Sequence, residues 1–235
     1  MSASRIETTG RAKRLNDSLA ESSSSYDTLP LGNKPDPLDE LIFIILTTMT
    51  QFGPMEVFDR LKLRFPTWDQ LLKRGAEANL REVIAVCGLV NQKAPQIIAI
   101  ADRLNADFGR VTLDPLRDVS DADAETYLLS LPRVGKKVAR CVLMYSLGRD
   151  VLPVDAHVWR VSQRVGLLPE GISWARAHDA IHEVVEPEDR FALHVGLVVH
   201  GREVCTYREP RCGECVLKAE GLCEGLDKNL ERSRT

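Results

Sequence analysis

The residues with the most specific chemistry are four cysteines near the C-terminus. The chain of 235 residues has six cysteines, and four of them follow the spacing C-x6-C-x2-C-x7-C, namely Cys205, Cys212, Cys215 and Cys223. Clustered thiolates bind zinc or an iron–sulfur cluster. A structural zinc site usually has two close pairs of ligands, whereas only one close pair is present here. The spacing favours a [4Fe-4S] cluster, with zinc and plain core cysteines as alternatives.

A second segment whose residues could take part in chemistry is LPRVGKKVAR, residues 131–140. Its pattern predicts the end of one helix, a tight turn and a new helix that begins near Lys136. Amides at such a turn point outward and can bind a phosphate oxygen without reading a base. The alternative is an ordinary helix–turn–helix with a solvated pair of lysines.

The third segment is VLPVDAHVWR, residues 151–160, with Asp155 between an extended stretch and a helix. A carboxylate in this position is typical of a helix N-cap. If Lys137 and Asp155 share a cleft, the lysine amine can form a Schiff base with a sugar carbon. The carboxylate would then stabilise positive charge on the sugar.

Composition limits the possible classes. The hydrophobic fraction is 44%, enough for a core without disulfides, and the net charge is −3. The longest apolar run, Leu41–Leu46, is too short to span a membrane, and the polar N-terminus does not resemble a signal peptide. We therefore expect a cytoplasmic protein, nucleoid-associated if bacterial, without membrane contact. The acidic charge argues against nucleic-acid binding unless basic residues form a local face.

The hydrophobic pattern predicts an all-α protein of about nine or ten helices. The predicted helices cover 38–50, 57–65, 78–87, 93–108, 121–130, 136–146, 156–165, 173–185 and 189–200, with a short helix near 11–21. A Ser-, Gly- and Pro-rich linker is predicted at 22–36. The two remaining cysteines, Cys87 and Cys141, lie on apolar helix faces and are expected in the core.

In this order, the motifs resemble the endonuclease III branch of the helix–hairpin–helix DNA glycosylases. The resemblance runs from about Pro37 to Cys223 and rests on LPRVGKKVA (131–139), PVDAHVWRV (153–161), HGREVC (200–205) and the four-cysteine loop. It implies two helical domains with a cleft between them, and it raises the [4Fe-4S] reading above zinc. The implied domains are an N-terminal segment 1–36, a six-helix barrel 37–150 with the helix–hairpin–helix at 121–146, a cluster domain 151–223 with the loop at 205–223, and a tail 224–235.

The resemblance also assigns roles to residues. Lys137 falls on the Schiff-base lysine of the family and Asp155 on its catalytic aspartate. The turn with Val134 and Gly135 would grip the DNA backbone, and Leu89 falls where the family has a wedge that enters the duplex. The target nucleotide would be flipped into a pocket, because its sugar carbon cannot be reached within the stack.

Two departures from the family pattern concern the hairpin and the substrate. Arg133 replaces the first glycine of the hairpin, which costs free energy if that position needs a positive φ and otherwise adds a phosphate contact. Met49 stands where the family usually has a glutamine that fills the gap left by the flipped base, with Gln51 two positions later. Methionine cannot hydrogen-bond an orphaned base as glutamine can.

These inferences predict a monomeric base-excision glycosylase with abasic-site lyase activity. Its substrate would be double-stranded DNA that carries a damaged base or an abasic site. The first candidate for the damaged base is an oxidised pyrimidine. The alternatives are a monofunctional glycosylase with altered lesion or mismatch specificity and a non-catalytic DNA-binding or redox-sensing relative. The predicted DNA contacts, beyond the residues already named, are Lys93, Lys136, Arg140, Arg208 and Arg211.

Overall fold

The computed structural model describes residues 3–22, 31–48 and 53–225. Within these ranges every regular element is a helix, which confirms the predicted all-α class. In chain order the α-helices are α1 (Ala3–Ser22), α2 (Pro37–Thr47), α3 (Pro54–Arg64), α4 (Ala76–Val83), α5 (Val90–Phe108), α6 (Asp121–Ser130), α7 (Lys136–Tyr145), α8 (Ala156–Arg164), α9 (Trp174–Val184), α10 (Arg190–Glu203) and α11 (Val216–Ala219). Short 3-10 helices cover Trp68–Leu72, Asp114–Asp118, Pro187–Asp189 and Cys212–Glu214.

The chain forms two compact units. One comprises Gly32–Arg149, and the other combines Met1–Leu31 with Asp150–Thr235. We refer to them as the central unit and the terminal unit. None of the helices in the described ranges is long and apolar enough to cross a membrane.

Helix α2 forms the core of the central unit. Asp36 caps its start by accepting hydrogen bonds from the backbone N–H groups of Leu38 and Asp39, and a proline follows at the first helical position. Every residue from Leu38 to Leu46 except Asp39 is buried, as expected for a helix that is apolar on all sides. It packs against α3, α5 and α7.

Helices α6 and α7 form a hairpin in the same unit. The Ser120 hydroxyl caps α6 by accepting from the Asp123 N–H, and the helix ends at Ser130, as the sequence predicts. A turn of five residues follows, and α7 begins at Lys136 with a buried apolar face that packs on α2 and α6. The hairpin therefore connects the first residues of α7 directly to the central core.

The core of the terminal unit combines helices from both ends of the chain. Leu15 and Leu19 of α1 pack with apolar residues of α8, α9 and α10. The Arg11 side chain donates to the carbonyl oxygens of Val165 and Leu222, the latter at 2.7 Å. The N-terminal helix is therefore fixed to the segment that precedes Cys223.

Candidate functional site

The turn between α6 and α7 is held in an unusual backbone conformation. Arg133 has a φ of 57°, in the left-handed region that favours glycine. The Gln96 side chain donates to the carbonyl oxygens of Pro132 at 3.0 Å and Arg133 at 3.2 Å, and the Arg133 guanidinium donates to Gln92 Oε1 at 2.7 Å. Both glutamines belong to α5. The position does require a positive φ, and side chains of α5 stabilise the arginine that adopts it.

Lys136 and Lys137 are the first two residues of α7 and are both half-buried. Gly135 precedes them in an extended conformation, and Val134 is buried beneath the turn. The predicted turn, helix start and lysine pair are therefore present as the sequence indicates. Their proximity to phosphate stays a prediction.

Leu89 also has a left-handed conformation, with a φ of 64°, and its side chain is 43% exposed. It stands immediately before α5 and borders a cavity of about 560 Å³. The cavity is lined by Ile45, Thr48, Leu89, Gln92, Lys93, Gln96, Arg133 and Val138. A partly exposed apolar residue thus stands beside several side chains that donate hydrogen bonds.

Two predicted DNA contacts have internal partners. Lys93 is buried, its Nζ donates to the Leu46 carbonyl oxygen at 2.9 Å, and burial lowers its pKa. Arg140 is also buried and pairs with Glu125 at 2.8 Å. Lys93 thereby caps the end of α2, and Arg140 joins α6 to α7. As DNA contacts, both residues stay predictions. Met49 and Gln51 lie outside the described residues.

Asp155 caps helix α8 in the terminal unit. One of its carboxylate oxygens accepts from the backbone N–H groups of His157 and Val158, both at 2.8 Å. The residue is half-buried, so the carboxylate combines a capping role with access to solvent. The predicted N-cap is confirmed, and its catalytic role stays a prediction.

The four clustered cysteines line one cavity of the terminal unit. Its walls also include Arg164, His200 and Leu217, and all four thiols are half-buried. Burial raises the pKa of the Cys215 thiol and lowers the pKa of His200 to about 4. Among the described residues, no three His, Cys, Asp or Glu side chains are arranged to hold a metal ion as they stand. The donor set itself, four thiols around one cavity, fits an iron–sulfur cluster.

Two arginines of α8 support the cysteine loop, and sequence reasoning missed both. The Arg164 guanidinium donates to Cys205 Sγ at 3.1 Å and to the Thr206 carbonyl oxygen at 2.8 Å. The Arg160 guanidinium donates to the carbonyl oxygens of Cys205 at 3.0 Å and Gly201 at 2.7 Å. Their spacing of four residues on one helix was the available signal, because such residues share a helix face.

The remaining predicted DNA contacts lie in the cysteine loop. Arg208 is exposed, next to the exposed Tyr207. Arg211 is exposed, but its guanidinium donates to the Glu203 carbonyl oxygen and pairs with Glu214 at 3.0 Å. Of the two, Arg208 is the more accessible to a phosphate.

Comparisons with known proteins identify the family of this chain. Residues 49–187 match the HhH-GPD superfamily of base excision DNA repair proteins. Endonuclease III of Escherichia coli strain K12 is 30% identical over 197 residues, which cover 83% of this chain and 87% of that protein. A candidate DNA glycosylase of Arabidopsis thaliana is 30% identical over 77% of this chain, and the match spans only 61% of the plant protein.

The fold has a counterpart among solved structures. A non-covalent endonuclease III–DNA complex superposes with a TM-score of 0.74 at 22% identity, covering 100% of both chains. The family match extends over more than half of this chain, and the bacterial relative aligns along most of both proteins. The chain therefore belongs to the HhH-GPD superfamily of base excision DNA repair proteins, on its endonuclease III-like branch.

Proposed function

We propose that this protein is a base-excision DNA glycosylase with abasic-site lyase activity. The observation that carries the proposal is Lys137, a half-buried amine at the second position of α7, directly after a turn fixed by α5. Such a group combines a nucleophilic amine with a rigid support, which positions it for attack on one sugar carbon.

The proposed reaction begins with the neutral amine of Lys137. Its Nζ forms a bond to the C1′ atom of the damaged nucleotide, and the base leaves with the electron pair of the broken glycosidic bond and takes up a proton. The amine nitrogen loses its excess proton, the C1′–O4′ bond then breaks as O4′ takes up a proton, and the opened sugar is left as an iminium. The iminium makes a C2′ proton acidic, so the 3′ phosphate departs by β-elimination. Asp155 is the carboxylate that stabilises positive charge on the sugar.

The proposed substrate and partner are those that the resemblance to the endonuclease III branch implies. We infer that double-stranded DNA is the partner and that an oxidised pyrimidine or an abasic site is the reacting nucleotide. The turn at 131–135, Lys136 and Arg208 would bind phosphates, and Leu89 would enter the duplex. Because such contacts release counter-ions, the affinity should fall as salt rises.

We further propose that Cys205, Cys212, Cys215 and Cys223 hold a [4Fe-4S] cluster. Four thiolates would close the site, so the cluster would support the loop that carries Arg208 instead of taking part in bond cleavage. Analysis of the purified protein for iron and sulfide tests this assignment. About four of each per chain would support it, and stoichiometric zinc without sulfide would exclude it.

The test of the reaction is borohydride trapping on duplexes with an abasic site, an oxidised pyrimidine, a uracil or a mismatch. We expect a covalent adduct with the wild type and none with Lys137→Ala. The duplex that traps fastest would identify the substrate. Base release without an adduct would instead identify a monofunctional glycosylase, in which Asp155 activates water.

A further inference from the structure

The extended segment 150–154 leads into the cap of α8 in the terminal unit, and we call it the entry segment. Residues 151–154 are all buried, and Asp155 follows with a φ of −96° and a ψ of −177°. Buried backbone N–H and C=O groups need hydrogen-bond partners. Because every regular element among the described residues is a helix, the entry segment does not obtain these partners from a described strand.

Two histidines of α9 accept hydrogen bonds from the entry segment. The backbone N–H of Leu152 donates to His182 Nε2 at 2.7 Å, and the backbone N–H of Val154 donates to His178 Nδ1 at 3.4 Å. An accepting ring nitrogen carries no hydrogen, so the neutral ring of His182 is protonated at Nδ1 and that of His178 at Nε2. The two rings can serve the same segment because positions 178 and 182 share a helix face.

Helix α10 provides donors to carbonyl oxygens of the same segment. His194 Nδ1 lies 2.9 Å from the Pro153 carbonyl oxygen, and the nitrogen donates because a carbonyl oxygen only accepts. The Arg190 guanidinium donates to the carbonyl oxygens of Asp150 at 2.6 Å and His182 at 3.0 Å. Arg190 therefore joins the start of the entry segment to the turn of α9 that carries His182.

These contacts reach Asp155 through the backbone. The Asp155 carboxylate is bonded to the first turn of α8, and one peptide bond joins Asp155 to Val154. The aspartate is thus held by α8 on one side and, through the entry segment, by α9 and α10 on the other. His178 and His194 are only 1% and 2% exposed, so both act on the segment and not on a substrate.

We propose that His178, His182 and His194 are positioning residues, which set the location of the Asp155 carboxylate by holding the backbone of the entry segment. The catalytic consequence rests on the proposed function, in which Asp155 stabilises positive charge on the sugar. The hydrogen bonds do not depend on that function. Precise support of this kind matters because a displacement of about 1 Å in a reacting group can slow a reaction about 100-fold.

A packing role and a positioning role make different demands on these rings. Packing needs the volume of the ring, whereas positioning needs a hydrogen-bond acceptor at one particular atom. Asparagine places its amide oxygen where histidine has Nδ1, and glutamine places its amide oxygen where histidine has Nε2. Glutamine therefore keeps the acceptor at position 182, and asparagine keeps it at position 178.

The test exchanges each of the two accepting histidines for both amides. Single-turnover rates are measured at saturating enzyme, on the duplex that the wild type processes fastest among those with an abasic site, thymine glycol, uracil or a mismatch. We expect His182→Gln to react within about twofold of the wild type and His182→Asn about tenfold more slowly. The order should reverse at position 178, where His178→Asn should be the faster variant. DNA affinity should be unchanged in all four, because positioning acts on the reaction and not on binding.

Equal rates for His182→Gln and His182→Asn, whether fast or slow, would overturn the proposal. His178 is buried, so its variants could fail to fold; the pair at His182, which is partly exposed, then decides the question alone. A slow variant that also loses its affinity for the duplex would count against positioning as well.

NMR of the wild type tests the hydrogen bond without any substitution. In protein labelled with ¹⁵N, we expect a coupling between the amide nitrogen of Leu152 and Nε2 of His182, because such a coupling passes across an N–H···N hydrogen bond. Its absence would overturn the proposal. A wild type that neither releases a base nor cleaves any of the duplexes would refute the proposed function, and this coupling would still report on the entry segment. An active wild type without the coupling would refute this inference alone.

Discussion

The turn between α6 and α7 and the loop of the four cysteines are both held by side chains of another helix, but they differ in the groups that they present. In the central unit, Gln96 of α5 donates to two carbonyl oxygens of the turn. In the terminal unit, Arg160 and Arg164 of α8 do the same for the cysteine loop. The carbonyl oxygens of the turn accept hydrogen bonds from protein side chains, whereas the loop also places four thiols around a cavity. The turn thus presents backbone groups and lysines, whereas the loop presents four thiols, the donor set of an iron–sulfur cluster.

The largest effect is expected from removing a cysteine of the loop. Cys212→Ala should prevent the proposed [4Fe-4S] cluster from assembling and destabilise the terminal unit by about 5 kcal/mol, because metal binding and folding are coupled in such loops. The central unit should keep its own unfolding transition. Iron content and thermal unfolding followed by circular dichroism measure both effects. Cys87→Ala, in the central unit, should leave the iron content unchanged, and equal iron loss in the two variants would contradict the assignment.

A smaller effect, on the pH dependence of stability, is expected in the central unit. Glu40 of α2 is fully buried, and its burial raises the pKa of the carboxyl group from 4.5 to about 7. The folded protein therefore holds the carboxyl proton of Glu40 more tightly than the unfolded chain does. Stability contributed by Glu40 is therefore complete below pH 4.5 and is lost as the pH rises through about 7, by about 3 kcal/mol. Glu40→Gln should lack this loss. Urea unfolding of both proteins at about pH 5 and pH 8 checks the sign, and parallel pH curves would contradict it.

The next effect in size is expected from Arg164, one of the two arginines of α8 that donate hydrogen bonds to the cysteine loop. Arg164→Ala removes donors to the Cys205 sulfur and to loop carbonyl oxygens and should cost about 2 kcal/mol in the terminal unit. It should also speed the loss of iron to a chelator. Arg176→Ala changes an exposed arginine of α9 and provides the control. Equal rates of iron loss in the two variants would show that Arg164 does not hold the loop.

The smallest effect concerns the turn. Arg133→Gly removes the cost of a positive φ but also the hydrogen bond to Gln92, so we expect a net stabilisation of about 0.5 kcal/mol. If Arg133 contacts phosphate, the salt dependence of DNA binding should fall by about one unit of slope. Gln92→Ala breaks the same hydrogen bond without changing the backbone. A destabilised Arg133→Gly protein would mean that the side chain contributes more than its conformation costs.

Much of the fold follows from local sequence. The predicted helix at 121–130 agrees with α6, and most others agree within a few residues, because caps and apolar periodicity are local signals. The helix predicted at 78–87 ends earlier, at Val83, where a turn leads into the left-handed Leu89. The predicted linker at 22–36 lies partly outside the described residues.

The site was less accessible to sequence reasoning. The cysteines and the lysine pair are recognisable by type and spacing, but the partners of Arg140 and Lys93 depend on which helices pack together. Glu40 could have been noticed as the acid inside the run Leu38–Leu46, yet its complete burial depends on the packing of α2 against α3, α5 and α7. Long-range contacts of this kind leave no pattern in a single sequence.

The central claim is that Lys137 is the nucleophile, and mapping the trapped adduct tests it most directly. The wild-type protein would be reduced with borohydride on an abasic duplex, digested with protease and nuclease, and analysed by mass spectrometry. The account predicts one modified peptide, with the sugar remnant on Lys137. An adduct on Lys136 or on another residue, or no adduct from protein that retains its iron and binds the duplex, would contradict it.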